Sequence, residues 1–250
     1  MEKNKLKGMV FAALFAALTA AVAWFKIPLP FTPVPITLQT LVVLLSGAML
    51  GPYYGALSMA VYIAVGAIGL PVFAGGASGI GVLLGPTGGY LFSYPIASFV
   101  TGKMLEKKSL SRFLKYFSFF VVVFLVVIVF LDSALKIGIM KLGDKAMIAV
   151  LSEQQRMILI IVSILVILIL LLLIFYLKKS KSFSIDTILA MFSGTLIIYF
   201  LGSVQGKLVT GLPWSAIFIG WVLPFIVGDT IKLLLAAYIA KNVEIKKYMK

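Results

Sequence analysis

Long apolar runs separated by short basic or glycine- and proline-rich segments set the pattern of this chain. The first run covers residues 8–25, with Lys3, Lys5 and Lys7 before it and Lys26 after it. Residues 37–50 and 53–70 follow, divided by Gly51-Pro52, and helix resumes over 90–105 beyond a glycine-rich stretch. Residues 112–131 and 157–177 are nearly unbroken apolar runs, then comes 185–201, and a last run starts near Pro224 and reaches Ala240. A bilayer core about 30 Å thick is crossed by about 20 helical residues. The pattern therefore predicts eight membrane-crossing helices. The first run is longer than the 7–15-residue apolar core typical of a signal peptide, and it is read as a retained helix.

Composition strengthens this reading. Only 12% of the 250 residues are charged and 62% are hydrophobic, against about 25% charged in a soluble domain. The mean hydropathy is +1.15. No polar stretch is long enough to enclose a separate soluble core. Cysteine and histidine are both absent, which removes disulfides, thiol nucleophiles and imidazole bases and argues against a zinc, iron or copper site. A net charge of +14 would suit nucleic acid if the bases formed one patch. They are instead dispersed between apolar runs, as in membrane proteins that fix their orientation by charge.

The distribution of bases also gives a direction. With the N-terminus in the cytoplasm, the cytoplasmic segments hold Lys3, Lys5, Lys7, Lys103, Lys107, Lys108, Arg112, Lys115, Lys178, Lys179, Lys181, Lys241, Lys246, Lys247 and Lys250. The opposite face holds Lys26, Lys136, Lys141, Lys145, Arg156 and Lys207. Fifteen bases against six predicts an even number of crossings with both termini cytoplasmic. Segments 27–36, 71–89 and 202–223 then share the outer face. Irregular backbone at membrane depth is tolerated where it is buried or lines a cavity, so these segments predict an outward-facing pocket with a lid, with Trp214 and Trp221 flanking a short interfacial helix.

The strongest chemical signal is Asp229 and Lys232, three residues apart inside the last apolar run. A charge at bilayer depth costs roughly 2.5–3.5 kcal/mol on insertion scales. Residues at i and i+3 share a helix face, so this couple can offset itself and also face a polar ligand. The simpler alternative makes Asp229 a helix cap and sends Lys232 outward to water. Thr37 and Gln39 stand at a helix entrance after four closely spaced prolines. Thr37 has the chemistry of a cap, whereas the amide of Gln39 needs partners in an apolar setting. Asp132, Asp144, Glu153 and Asp186 lie in or beside loops and read as solvated charge. The glycines between 75 and 89 lack the G-x-x-x-x-G-K-[ST] pattern of a nucleotide-binding loop, so any active transport would draw on an ion gradient or a separate ATPase.

Ala12, Ala16 and Ala20 form one i, i+4 row, with Ala13, Ala17 and Ala21 beside it. Small residues at this spacing let another helix approach closely. That helix can belong to a partner or to the chain itself, and spacing alone does not choose.

Five motifs carry a family resemblance: P-L-P-F-T-P-V-P-I-T-L-Q-T at 28–40, G-A-M-L-G-P-Y-Y-G at 47–55, G-L-P-V-F-A-G-G at 69–76, G-V-L-L-G-P-T-G-G-Y at 81–90 and L-P-F-I-V-G-D-T-I-K at 223–232. In this order they resemble the BioY family, the biotin-specific S components of energy-coupling factor (ECF) transporters, over about 1–105 and 185–245. The resemblance implies an all-α, six-helix membrane module in the bacterial or archaeal cytoplasmic membrane. Such a module captures biotin from outside and delivers it with a transmembrane coupling subunit and a cytoplasmic ATPase pair, needing no cofactor of its own. It implies that Asp229 accepts hydrogen bonds from the ureido N–H groups and that Lys232 attracts the carboxylate or orients Asp229. Gln39 and Thr37 become polar pocket neighbours, Tyr90 a ring contact and Ser78 a lid residue. The resemblance also implies a pocket amide from the third outer segment, and this chain has no Asn there, which weakens the role of Ser78. The alanine rows at 12–21 match the face such modules turn to the coupling subunit.

Residues 106–184 depart from the family pattern, which has a short connection there. The two extra runs read as an inserted transmembrane hairpin between helices 1–4 (residues 1–105) and helices 5–6 (185–250). Two other functions compete with the transporter subunit. A free-standing secondary transporter would need further intramembrane carboxylates for proton coupling, and an intramembrane enzyme is disfavoured by the missing His and Cys.

Overall fold

The computed structural model describes residues 2–30, 32–106, 184–243 and 245, with eight further positions between 141 and 168. Of the expected hairpin helices, 112–131 and most of 157–177 lie outside the described residues; Met157, Ile161, Ile164 and Leu168 are described and are helical. Lys141–Leu142 pairs antiparallel with Lys145–Ala146.

Helix α1, Glu2–Ala23, is the first apolar run. A short antiparallel pair follows, β1 at Ile27–Leu29 and β2 at Thr32–Ile36, with Ile27 opposite Ile36. The expected stiff, extended proline segment is thus a small hairpin. Proline removes N–H donors, but a lone pair of strands leaves outward-facing positions that need none.

Helix α2 runs from Gln39 to Ala67 and breaks at Gly51, whose φ of 82° and ψ of 179° are not helical. Pro52 follows and cannot donate to the preceding turn. The break is a reversal. A Cβ built on Gly55 would lie 2.9 Å from Gly47 Cα, although eight residues of straight helix span about 12 Å. Likewise Gln39 Nε2 donates to Tyr62 Oη at 2.6 Å across 23 residues. The two arms are therefore antiparallel helices, as the Gly51-Pro52 turn predicts.

The short helix α3, Ile80–Leu84, leads into α4, Gly88–Glu106. Helix α5 is Ile185–Thr210, closed by Gly211 in the left-handed region at φ 69°, with the Gly211 N–H donating to Lys207 O at 2.9 Å. Expected irregular structure over 202–223 is thus helical as far as Thr210. A four-residue helix α6, Trp214–Ile217, passes into a π turn at Phe218–Val222, a 3₁₀ turn at Leu223–Phe225, and α7, Ile226–Asn242. Pro224 explains the irregular path, since a missing N–H and a ring clash disrupt the i→i−4 pattern one turn upstream.

The chain is mostly helical. Among the described residues Asn4–Ala23, Ile185–Thr210 and Phe218–Asn242 are long and apolar enough to cross a membrane, as is Gln39–Ala67 taken end to end, although the reversal at Gly51 divides that length between two antiparallel arms. Several such helices suit a multi-pass membrane protein. Helix α2 packs on α1 and α4, α4 on α5, and α7 on α2 and α5. Lipid supplies no hydrophobic drive between helices, so close approach through small residues and internal polar contacts holds them together. Gly47 and Gly102 let α2 and α4 meet backbone to backbone, and Gly55 lets the two arms of α2 close on each other beside Ser98. Ser46 Oγ lies 2.8 Å from Ser98 Oγ across the α2–α4 contact.

Candidate functional site

Asp229 and Lys232 stand in the first two turns of α7, below the irregular path from Phe218 to Phe225. Both are buried, with 6% and 9% of their surface exposed. Lys232 Nζ donates to Asp229 Oδ1 at 2.7 Å. Thr40 Oγ1 donates to the same oxygen at 3.1 Å, and Tyr199 Oη to Oδ2 at 2.7 Å. Asp229 does not cap α7, whose N-terminus has no side-chain cap bond. The capping alternative fails, and so does an outward course for Lys232.

The couple lies on the wall of a cavity of ≈ 190 Å³. Its polar lining includes Thr37, Gln39 and Thr40 from the hairpin and the start of α2, and Tyr199 from α5. Its apolar walls are Val34, Phe73, Leu91, Tyr94, Ile198 and Phe225. Thr37 Oγ1 donates to Gln39 Oε1 at 3.0 Å, and Tyr62, which receives the Gln39 amide, donates onward to Val72 O at 3.0 Å. Gln39 is therefore held by partners on both sides of its amide and is fixed in place. Tyr90 shows only its ring to the cavity, because its hydroxyl donates to Trp221 O at 2.6 Å and the two rings stack at 6.5 Å between centroids. Trp221 is 2% exposed and is a core residue rather than an interfacial one. Trp214, the first residue of α6, is exposed, with Lys207 Nζ 5.3 Å from its ring centroid.

The glycine-rich segment covers the cavity. Phe73, Ala74 and Ala77 reach its lining, and Val82 and Thr87 close the side next to α4. Ser78 does not line it, and Ala77 occupies the position that Ser78 was expected to fill. The segment is tied down at several points. Gly75 N–H donates to Ala23 O and Gly79 N–H to Gly66 O, each at 2.8 Å. Gln205 on α5 donates to Leu83 O at 2.7 Å and to Gly85 O at 2.8 Å.

Sequence reasoning missed Thr40, Tyr199, Tyr62 and Gln205. Gln205 was detectable as an amide in an apolar context, which demands partners. Tyr199 sits in I-I-Y-F, and no local pattern separates it from an ordinary lipid-facing tyrosine.

The alanine rows divide. Ala12 and Ala16 are buried, at 1% and 7%, and Ala16 belongs to the same core as Tyr62 and Tyr94. Ala20 is half-buried against it. This row packs α1 onto the chain's own helices, so the expected partner role of Ala12, Ala16 and Ala20 is corrected to internal packing. Ala13, Ala17 and Ala21 face outward and are exposed.

Known proteins resemble this chain in sequence and in fold. A 2.1 Å crystal structure of the S-component for biotin from an ECF-type ABC transporter matches all of this chain and 99% of its own, with a TM-score of 0.62 at 22% identity, a likeness of fold. The biotin transporter BioY of Thermotoga maritima is 48% identical over 103 residues, 41% of this chain and 60% of that protein. That of Rhodobacter capsulatus is 50% identical over 107 residues, 43% of this chain and 54% of its own. The aligned part of this chain thus spans little more than half the length of these relatives. The BioY family model matches residues 1–179 and 159–248, and the chain belongs to the BioY family.

Proposed function

We propose that the chain captures biotin at the outer face of a bacterial or archaeal cytoplasmic membrane, as the substrate-binding subunit of an ECF-type ABC transporter. The observation that carries this reading is the self-neutralised couple on the cavity wall. An ionised carboxylate offers about four acceptor sites and an ammonium three donors. Lys232, Thr40 and Tyr199 occupy three of the Asp229 sites, which leaves one acceptor on Asp229 and two donors on Lys232. Side by side and without net charge, these complement a neutral urea, which presents N–H donors next to a carbonyl acceptor. The aromatic and aliphatic walls suit the fused thioether ring and its hydrocarbon tail.

Titrating radiolabelled biotin against related vitamins on the purified chain tests this. Saturable binding displaced by unlabelled biotin alone is expected. No saturable binding, or equal displacement by an unrelated vitamin, would refute it.

The charge asymmetry supports a placement with both termini cytoplasmic, with six core helices and a hairpin inserted over 106–184. Delivery would use a coupling subunit and an ATPase pair, since the chain carries no nucleotide-binding loop pattern. The exposed Ala13, Ala17 and Ala21 row on α1 supports contact with the coupling subunit, because small side chains allow close helix approach. Ala17→Leu should leave biotin binding by the isolated chain unchanged while reducing ATP-dependent uptake several-fold. Unchanged uptake would remove this interface. A free-standing transporter would instead move biotin in vesicles that contain no ATPase subunits.

A further inference from the structure

The cavity contains three ionic side chains, Lys26, Asp229 and Lys232, and their charges do not cancel. Asp229 and Lys232 neutralise each other, so Lys26 leaves one positive charge in surplus. Among the described residues its ammonium has no hydrogen-bond or ion-pair partner. Lys26 is exposed, just past the end of α1, and marks the solvent side of the cavity, whereas the couple is buried.

The surrounding backbone accommodates this lysine. Its side chain lies across Gly75, where a Cβ would meet the lysine stem and come within 2.6 Å of Nζ. Gly75 has a φ of 69°, a region that disfavours side chains. Its N–H donates to Ala23 O, which fixes the lid beside the root of the lysine. The ammonium is thus placed at the mouth by the α1 terminus and the lid together.

We infer that Lys26 receives the ligand's carboxylate at the mouth and makes the site selective for the free acid. This rests on the biotin reading, in which a neutral ring and an anionic tail must find separate partners. Placing the carboxylate on Lys232 would set a second anion beside Asp229 around one buried ammonium, and like charges in such a site repel strongly. At Lys26 the anion meets an unpaired cation and keeps part of its hydration, so the desolvation cost is smaller.

The test compares biotin with biotinamide, which keeps the ring and tail and lacks the charge, by calorimetry on the purified full chain. Wild type should prefer biotin by roughly ten-fold, as expected for a charge-assisted hydrogen bond near solvent. Lys26→Met should remove that preference by weakening biotin alone, and Lys26→Arg should keep it. A preference that survives Lys26→Met, or that is lost only in Lys232→Ala, overturns the assignment. Equal wild-type binding of both ligands also overturns it and leaves the biotin reading intact. Binding of neither ligand removes both.

Discussion

Biotin affinity should fall by roughly two orders of magnitude when Asp229 becomes Asn, since truncating one member of a buried hydrogen-bonded charge pair costs about 2–5 kcal/mol. The substitution keeps the shape of the side chain and removes its charge. It leaves Lys232, 9% exposed, without its counterion. Because Asn keeps a single acceptor oxygen, it also removes the acceptor of either Tyr199 or Thr40, which use different carboxylate oxygens. Lys232→Ala should cost about as much, because it strands the carboxylate instead. The two losses should not add, since either change disables one shared unit. Stability separates this from simple misfolding. In the double variant Asp229→Asn, Lys232→Met no buried charge is left uncompensated, and such replacements are often neutral or stabilising. The double variant should therefore melt at least as high as either single variant and still bind poorly. Near-wild-type affinity in both single variants, by calorimetry on purified protein, would remove the couple from the site.

The couple was legible because the membrane makes charge rare. In a soluble protein an Asp and a Lys at i, i+3 would be one surface pair among many, whereas two charges in an apolar run require an explanation. The helices were legible for the same reason, and the reversal at Gly51-Pro52 was announced by two residues that break helical backbone. Tyr199 and Thr40 were not legible. Their role comes from the packing of α5 and α2 around α7, and contacts spanning 30 and 189 residues leave no periodic trace. The alanine rows show the opposite limit. Spacing marks a face for close approach but does not say which helix approaches, and the chain itself took the row from Ala12 to Ala20. The C-terminal end of α5 was misjudged because glycines at 202 and 206 resemble breakers. In the structure they make room for rings, Tyr90 at Gly202 and Trp221 at Gly206.

The glycines of α2 and α4 support the second large expectation. Gly102→Val should prevent the chain from accumulating as a monodisperse, biotin-binding protein. A Cβ at Gly102 would lie 2.5 Å from Pro52 N, 2.6 Å from Gly51 C and 2.8 Å from Gly47 O. All three are backbone atoms at the reversal, so no side chain can rotate away to make room. Overpacking of ordinary cores costs typically 1–3 kcal/mol because neighbours shift, and here the neighbour is the turn that joins two helices. Separating α4 from that turn would break the Ser46–Ser98 contact. It would also displace Tyr90, Leu91 and Tyr94, which α4 carries into the cavity. Gly81→Ala, on α3 where a Cβ would meet nothing within 4 Å, is the matched control and should behave as wild type. Size-exclusion profiles and thermal melts of the two variants in detergent decide the matter. A Gly102→Val protein that elutes, melts and binds like the control would show that α2 and α4 do not depend on this contact.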